Sequence, residues 1–438
     1  MSSAAGIILV AAVVAIALLV AALQGLLAEP PKIAGASRTI AAAVIFAASY
    51  IALAVGEIPG LSIDRAGVAL VGAALMVAAG VLPIEDAWRA IDLDTITLLL
   101  GMMIVVANLR LSGFFAIATT WVIDHTKRPL PLLCAITATA GVFSAFLVND
   151  AICLVLAPLV CDLTSRMRRD PVPYLLAVAM ASNVGSVATI TGNPQNILIG
   201  GFSHIPYATF ALVLGPVALI GLVLTVAMIA LSHQREMHGG PAENVVGHDV
   251  RRVHKMLVAR ALLATALMIA LFFSGQNPAK VAIVIGGLLL LTRRLKSARI
   301  YAEIDWSLLL MFAGLFIIVA GAERELPSPQ LVAAQLTSIP MLSAVTAILS
   351  NLVSNVPAVL LLRPFVTPLA DHDRAWLVIA MASTLAGNFT VLGSIANLIV
   401  VEKAARRGIV IGFWDYFRVG APLTLLTLIT GTLWLMWR

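Results

Sequence analysis

Two short polar segments lie inside otherwise apolar stretches, and their residue types could hold a small solute or an ion. The first reads Val148-Asn149-Asp150 and runs on to Pro158; the second reads Val353-Ser354-Asn355-Val356-Pro357 and runs on to Arg363-Pro364. Asp150 is the only acid between residues 125 and 161. An ionisable group within a membrane segment is costly to keep there and reads first as an ion or proton site. The alternative is that Asp150 caps the helix that follows it. The second segment has Ser354-Asn355 at the same point and no acid, so proton chemistry would belong to the first alone.

A second pair of segments shares one pattern. Thr189-Ile190-Thr191-Gly192-Asn193-Pro194-Gln195-Asn196 aligns with Thr390-Val391-Leu392-Gly393-Ser394-Ile395-Ala396-Asn397, each Thr-x-x-Gly-x-x-x-Asn before an apolar run. Gly, Pro and Asn in such a run interrupt a helix. The freed backbone groups are tolerated at bilayer depth only when buried in protein or lining a wet cavity. The ends of the two half-helices then offer partial charges to a bound ion; a capped loop at the membrane surface is the other reading. The candidate substrate or ion ligands are therefore Asn149, Asp150, Thr189, Asn193, Asn196, Ser354, Asn355, Thr390, Ser394 and Asn397. Gly192 and Gly393 would permit the breaks, and Asp150 would carry a coupling proton. No Arg belongs to these motifs.

The elements that must position these residues are helices in a bilayer. Of 438 residues, 61% are hydrophobic and 11% charged, against about 25% charged in a soluble domain. The 28 Lys and Arg and 22 Asp and Glu are too few to cover a soluble surface of this size. Apolar runs such as Gly6 to Leu27, Phe210 to Leu231 and Leu423 to Trp437 have helix length. A transmembrane strand needs only about 10 alternating residues. At about 20 residues per span the chain has room for about 11 to 13 membrane segments. The first run has no Lys or Arg before it and is longer than a signal-peptide core, so it reads as a retained span.

The chain also repeats itself. Ile91-Asp92 and Ile304-Asp305 each open an apolar span, Asn149 and Asn355 are each followed nine residues later by Pro158 and Pro364, and the Thr/Gly/Asn motifs come third in both halves. Residues 1–38 form an N-terminal span and linker, 39–232 the first repeat, 233–256 a polar cytoplasmic linker and 257–438 the second repeat. Equivalent loops differ in charge. Residues 83–94 carry Glu85, Asp86, Asp92 and Asp94 against Arg89, while 293–305 carry Arg293, Arg294, Lys296 and Arg299 against Glu303 and Asp305. Arg166, Arg168 and Arg169 at 163–170 face the Asp-His-Asp-Arg of 371–374. Residues 200–208 have no Lys or Arg, but 402–407 have Lys403, Arg406 and Arg407. Basic loops stay cytoplasmic, so the repeats are expected to be inverted, the design that lets one central site open to either side in turn.

Other chemistries find little support. The net charge of +6 is scattered through short loops, as in helical membrane proteins, and forms no basic face for nucleic acid. Cys134, Cys153 and Cys161 make no Cys-x-x-Cys pair, and the histidines of the linker have the loose spacing of a solvated loop, so no metal or disulfide is indicated. His-Glu-x-x-His and P-loop motifs are absent, which leaves ATP hydrolysis and enzyme activity without a visible site. A membrane-embedded enzyme would gather acids or His near one interface in one half only. Arg363, deep in its run, reads as a structural ion pair or hairpin-end anchor, and Arg110 as a snorkelling anchor.

The arrangement resembles the ion transporter superfamily, in particular its arsenite-permease and citrate-transporter-like branch. Asn149-Asp150 with Pro158, and Ser354-Asn355-Val356-Pro357, resemble the arsenite efflux permeases; Gly192-Asn193-Pro194-Gln195-Asn196 is closer to silicon-efflux proteins and bacterial putative anion transporters. The resemblance implies an all-α polytopic fold in a cell (inner) membrane, with two inverted repeats, each holding a re-entrant hairpin and a broken helix. It implies transport of a small inorganic oxyacid or anion, arsenite-like, by alternating access, without a cofactor. The sodium-coupled dicarboxylate members carry Ser-Asn-Thr at both tips, and this chain does not. Asp150 instead points to H+ as coupling ion, with Na+ coupling to an organic anion, or sodium/proton antiport, as the alternatives. The resemblance also admits a homodimer and a peripheral ATPase as partners.

Overall fold

The computed structural model describes residues 35–55, 63–115, 117–118, 126, 128–240, 255–291, 295–326, 334–366, 369 and 371–438. The expected first span Gly6 to Leu27, most of the central linker, and Arg293 and Arg294 lie outside the described residues.

All regular structure among the described residues is helical. The first half comprises α1 (Gly35–Val55), α2 (Arg65–Ala78), α3 (Ile84–Ala90), α4 (Leu93–Ser112), α5 (Pro129–Phe146), α6 (Asn149–Arg166), α7 (Val172–Ser186), α8 (Pro194–Ser203) and α9 (Tyr207–Ser232). A short α10 (Gln234–Met237) begins the linker. The second half repeats the order with α11 (Lys255–Phe273), α12 (Pro278–Leu290), α13 (Ser297–Tyr301), α14 (Trp306–Glu325), α15 (Ile339–Val353), α16 (Asn355–Val366), α17 (His372–Ala386), α18 (Ile395–Ala405) and α19 (Phe413–Trp437). Among the described residues, seven helices are long and apolar enough to cross a membrane (α1, α4, α5, α9, α11, α14 and α19), and α2, α7, α12, α15 and α16 are shorter apolar helices.

The sequence explains where the helices start. The two Ile-Asp pairs are N-caps: Asp92 accepts from the Thr95 amide at 3.1 Å to open α4, and Asp305 accepts from the Leu308 amide at 3.0 Å to open α14. Asp64 and Asn277 cap α2 and α12 in the same way, accepting from Gly67 and Lys280. Each side chain satisfies an amide that has no partner within its own helix.

Packing exchanges helices between the halves. α2 lies along α14, where Gly314 abuts Ala69, and α12 lies along α4, where Gly101 abuts Ala282. Ion pairs fix the ends. Arg324, at the end of α14, pairs with Asp86 of α3 at 2.6 Å, and Arg110, at the end of α4, pairs with Glu303 just past α13. Arg110 is thus ion-paired and does not simply reach for the interface, because the fold brings a carboxylate within range. The α3 joint precedes α4 and the α13 joint follows it, so these equivalent joints sit at opposite ends of a 20-residue helix, about 30 Å apart.

α7 and α17 form the centre. Every residue of α7 from Pro173 to Ser186 and of α17 from Ala375 to Ala386 is buried. Lipid touches neither stretch, which frees both helices to carry polar side chains. The hairpins α5–α6 and α15–α16 pack beside them.

Candidate substrate cavity

After α7 the backbone leaves the helix, makes one 3-10 turn at Ile190–Gly192 and restarts as α8; after α17 it makes the same turn at Val391–Gly393 and restarts as α18. The exposed carbonyls are bound by one asparagine on each side. Asn196 donates from Nδ2 to the carbonyls of Ser186 and Thr189, both at 3.0 Å. Asn397 donates from Nδ2 to the equivalent carbonyls of Gly387 and Thr390, at 2.7 and 3.1 Å. Buried backbone groups are thereby satisfied where no water can reach them. Both turns need glycine for closeness: a Cβ on Gly192 would sit 2.1 Å from the Ser186 carbonyl oxygen, and one on Gly393 would sit 2.8 Å from that of Gly387. Thr189 donates to the Ala145 carbonyl at the end of α5, and Thr191 lies 2.8 Å from the Tyr207 hydroxyl, so the first break is also tied to its hairpin.

The two breaks are joined through a buried network. Asn183 on α7 donates from Nδ2 to Asn388 Oδ1 at 2.8 Å and Asn397 Oδ1 at 3.0 Å, and its Oδ1 accepts from Ser394 at 3.1 Å and Asn149 at 3.0 Å. On the other side Asn193 Nδ2 and Gln195 Nε2 donate to Thr384 Oγ1 at 3.1 and 3.2 Å. A buried network of this kind fixes geometry because any member that loses its partners becomes an unpaired buried dipole.

Between the hairpin tips and the starts of α8 and α18 lies a cavity of about 30 Å³, close to the volume of one water in the liquid. Its polar wall is Arg65, Asn149, Asp150, Gln195, Ser354, Asn355 and Ser394, and Leu53, Leu308 and Met311 contribute apolar surface. The α6 N-cap is Val148 and no side chain caps that helix, so Asp150, in the first turn, is not the cap that a membrane-surface reading would require. Asn149 uses its Nδ2 on Asn183, while its buried Oδ1 has no partner. Asn355 Oδ1 is 2.5 Å from Ser350 Oγ. At the second tip Ser354 adopts φ 76° and ψ 159°, a region that is costly for any residue but glycine; Val148 at the first tip has an ordinary backbone.

The structure thus divides the candidates read from sequence. Asn149, Asp150, Ser354, Asn355 and Ser394 line the cavity. Thr189, Gly192, Asn193, Asn196, Thr390, Gly393 and Asn397 do not; they build the breaks, Thr390 through a freed carbonyl bound by Asn397 and the others through the donors, or the lack of a side chain, that such carbonyls need. Sequence reasoning missed Thr384, Asn388, Gln195 and Arg65. Gln195 sits inside a motif already read as polar, Thr384 and Asn388 lie just before the second Thr/Gly/Asn motif, and Arg65 belongs to no motif and reaches the cavity only through packing of α2. The wall therefore contains an arginine that the motifs lack. Arg363 lies 3.8 Å from Glu323 and stacks 4.5 Å over the Phe202 ring, an ion pair outside the cavity.

The citrate transporter family model matches residues 50–386, which include both hairpin tips and the first break. The silicon efflux transporter LSI3 of Oryza sativa subsp. japonica is 27% identical, the match covering 91% of this chain and 98% of that protein. The inner membrane protein YbiR of Escherichia coli (strain K12) is 31% identical, covering 78% and 87%. Among solved structures, the YdaH transporter of Alcanivorax borkumensis superposes with a TM-score of 0.57 at 13% identity, covering 91% of this chain and 98% of that one; the likeness is one of fold.

Proposed function

The chain belongs to the citrate transporter family, a multi-pass membrane transporter and not an enzyme, and on that premise we propose that it is a proton-coupled secondary transporter of a small oxyanion or oxyacid. The single observation that carries this reading is the cavity itself, a small polar chamber walled by both hairpin tips and both helix restarts and holding Asp150. A carboxylate there is disfavoured beside a bound anion unless it takes up a proton, so binding of solute and proton would be linked.

Alternating access draws support from the arrangement of charge along the bundle. One end gathers the acidic joint at Asp86 and Asp92, the 200–208 loop (Gly201 lies against the Asp92 carboxylate) and Arg324. The other end gathers Glu303, with Lys296 and Arg299 nearby in the chain, and Arg110. The basic loop at 402–407 meets the base of the first hairpin, where Arg407 binds Asp162 and the Pro158 carbonyl. Under the rule that basic loops face the cytoplasm, the two halves are inverted copies. The cavity lies where α8 and α18 begin, and these helices of 10 and 11 residues run from it to the 200–208 loop and the 402–407 loop.

The test is transport by purified protein in liposomes with an imposed pH gradient, using arsenite, silicate, phosphate, sulfate and citrate. Uptake of at least one solute driven by the gradient is expected. Uptake that needs sodium and ignores the pH gradient would replace the proton with sodium.

A further inference from the structure

We propose that Arg65 is the residue that recognises the substrate's charge, and that the substrate is a small monoanion bearing both a charged oxygen and a hydroxyl group. The proposal rests on the transport reading above and narrows its substrate class. Arg65 opens α2, is half-buried and lines the cavity across from the tip of the first hairpin. Among the described residues no carboxylate lies within ion-pairing distance of it. Its sequence neighbour Asp64 is turned to the Gly67 amide at 2.8 Å, and Asp305, which opens the neighbouring α14, is turned to that of Leu308. A guanidinium in the first turn of a helix also faces the positive end of that helix's dipole, an unfavourable place without an anion to offset it. Its fork of donors suits an oxyanion.

Asn149, on the wall of the same cavity, carries a buried acceptor without a donor, its Oδ1. An unpaired buried acceptor costs free energy until a hydrogen is supplied, and a hydroxyl of the substrate supplies it. A neutral oxyacid would satisfy Asn149 and leave Arg65 unanswered; a fully deprotonated anion would do the reverse. The charged groups facing the chamber are then Arg65 and Asp150 alone among the described wall residues. With Arg65 balancing the anion, a proton on Asp150 leaves the cavity wall neutral, and Asp305 at the start of α14 adds a further negative charge beside Asp150 that favours taking up that proton.

The experiment compares wild type, Arg65→Gln and Arg65→Lys in liposomes. It measures initial rates for phosphate, arsenate and hydrogencarbonate as hydroxyl-bearing anions, nitrate as an anion without a hydroxyl, and arsenite and silicic acid as neutral acids. Expected is saturable uptake of a hydroxyl-bearing anion whose KM rises about tenfold to a hundredfold in Arg65→Gln, the loss of one charge-assisted contact. Arg65→Lys should recover part of it, with the maximal rate less affected than KM. Equal monodispersity in detergent checks that the variants fold. Preference for a neutral acid, equal transport of nitrate, or a KM unchanged in Arg65→Gln would overturn the proposal while leaving a transporter. Wild-type protein that moves none of the six solutes, and neither sulfate nor citrate, would overturn the transport reading with it.

Discussion

Asn193 and Ser394 hold the same position in their halves, and each bonds across to the other half. Asn193 reaches Thr384 at 3.1 Å, and Ser394 reaches Asn183 at 3.1 Å. Thr384 and Asn183 are themselves equivalent positions, one turn before the break of α17 and of α7. Duplicated chemistry has therefore become a reciprocal clasp. A double-mutant cycle on Asn183→Ala and Ser394→Ala should give a coupling free energy of about 0.5–1.5 kcal/mol in thermal unfolding. The Asn183 single variant should be the more damaging, by about 1–3 kcal/mol, because it leaves Asn149, Asn388 and Asn397 with unpaired groups.

Gly192→Ala and Gly393→Ala should differ in severity. The first forces a methyl to 2.1 Å from a carbonyl oxygen, and the second to 2.8 Å. Since tight cores yield only by shifting backbone, Gly192→Ala should fail to give monodisperse protein. Gly393→Ala should fold with a stability loss of about 1–3 kcal/mol. Size-exclusion profiles and melting curves would check the order.

Asp150→Asn should remove the pH dependence of transport. Anion uptake in wild type is expected to rise as pH falls, because the protonated carboxyl no longer repels the substrate, and to decline as pH rises and the carboxylate forms. The amide variant mimics the protonated form, so its KM should stay flat with pH. Initial rates over a pH series at fixed membrane potential would show this, and a variant that keeps the wild-type slope would exclude Asp150.

Ser354→Gly should stabilise the fold. The serine sits at φ 76°, and relieving that backbone is worth about 1 kcal/mol, readable as a higher melting temperature. If the strained tip also sets the geometry of the cavity wall, transport should slow while stability rises.

Side-specific labelling tests inversion. In a Cys134→Ser background, since Cys153 and Cys161 are buried, His204→Cys and Ala405→Cys occupy exposed positions. An impermeant maleimide added to intact cells should label the first and spare the second.

Much of this was legible in the residues. The duplicated Ile-Asp, Asn/Pro and Thr/Gly/Asn patterns mark the spans, hairpins and breaks because each encodes a local event: a cap, a tip or an interruption. What a short motif cannot state is which of its polar atoms faces inward. Asn196 and Asn397 look like ligands on paper, yet their amides bind the carbonyls that the break itself exposes. Arg65 was invisible for the opposite reason, since it stands alone in sequence and is brought to the cavity by α2 packing on α14.

The clasp at Asn183 has a mechanical consequence. It welds α7, α8, α17 and α18 into one body drawn from both copies, just as α2 with α14 and α4 with α12 interlock into another. Any rearrangement that carries the chamber toward the opposite face cannot slide one copy past its twin without tearing both bodies. In the transport cycle proposed above, the seam for movement would run between these two bodies, and each half of the chain contributes to both.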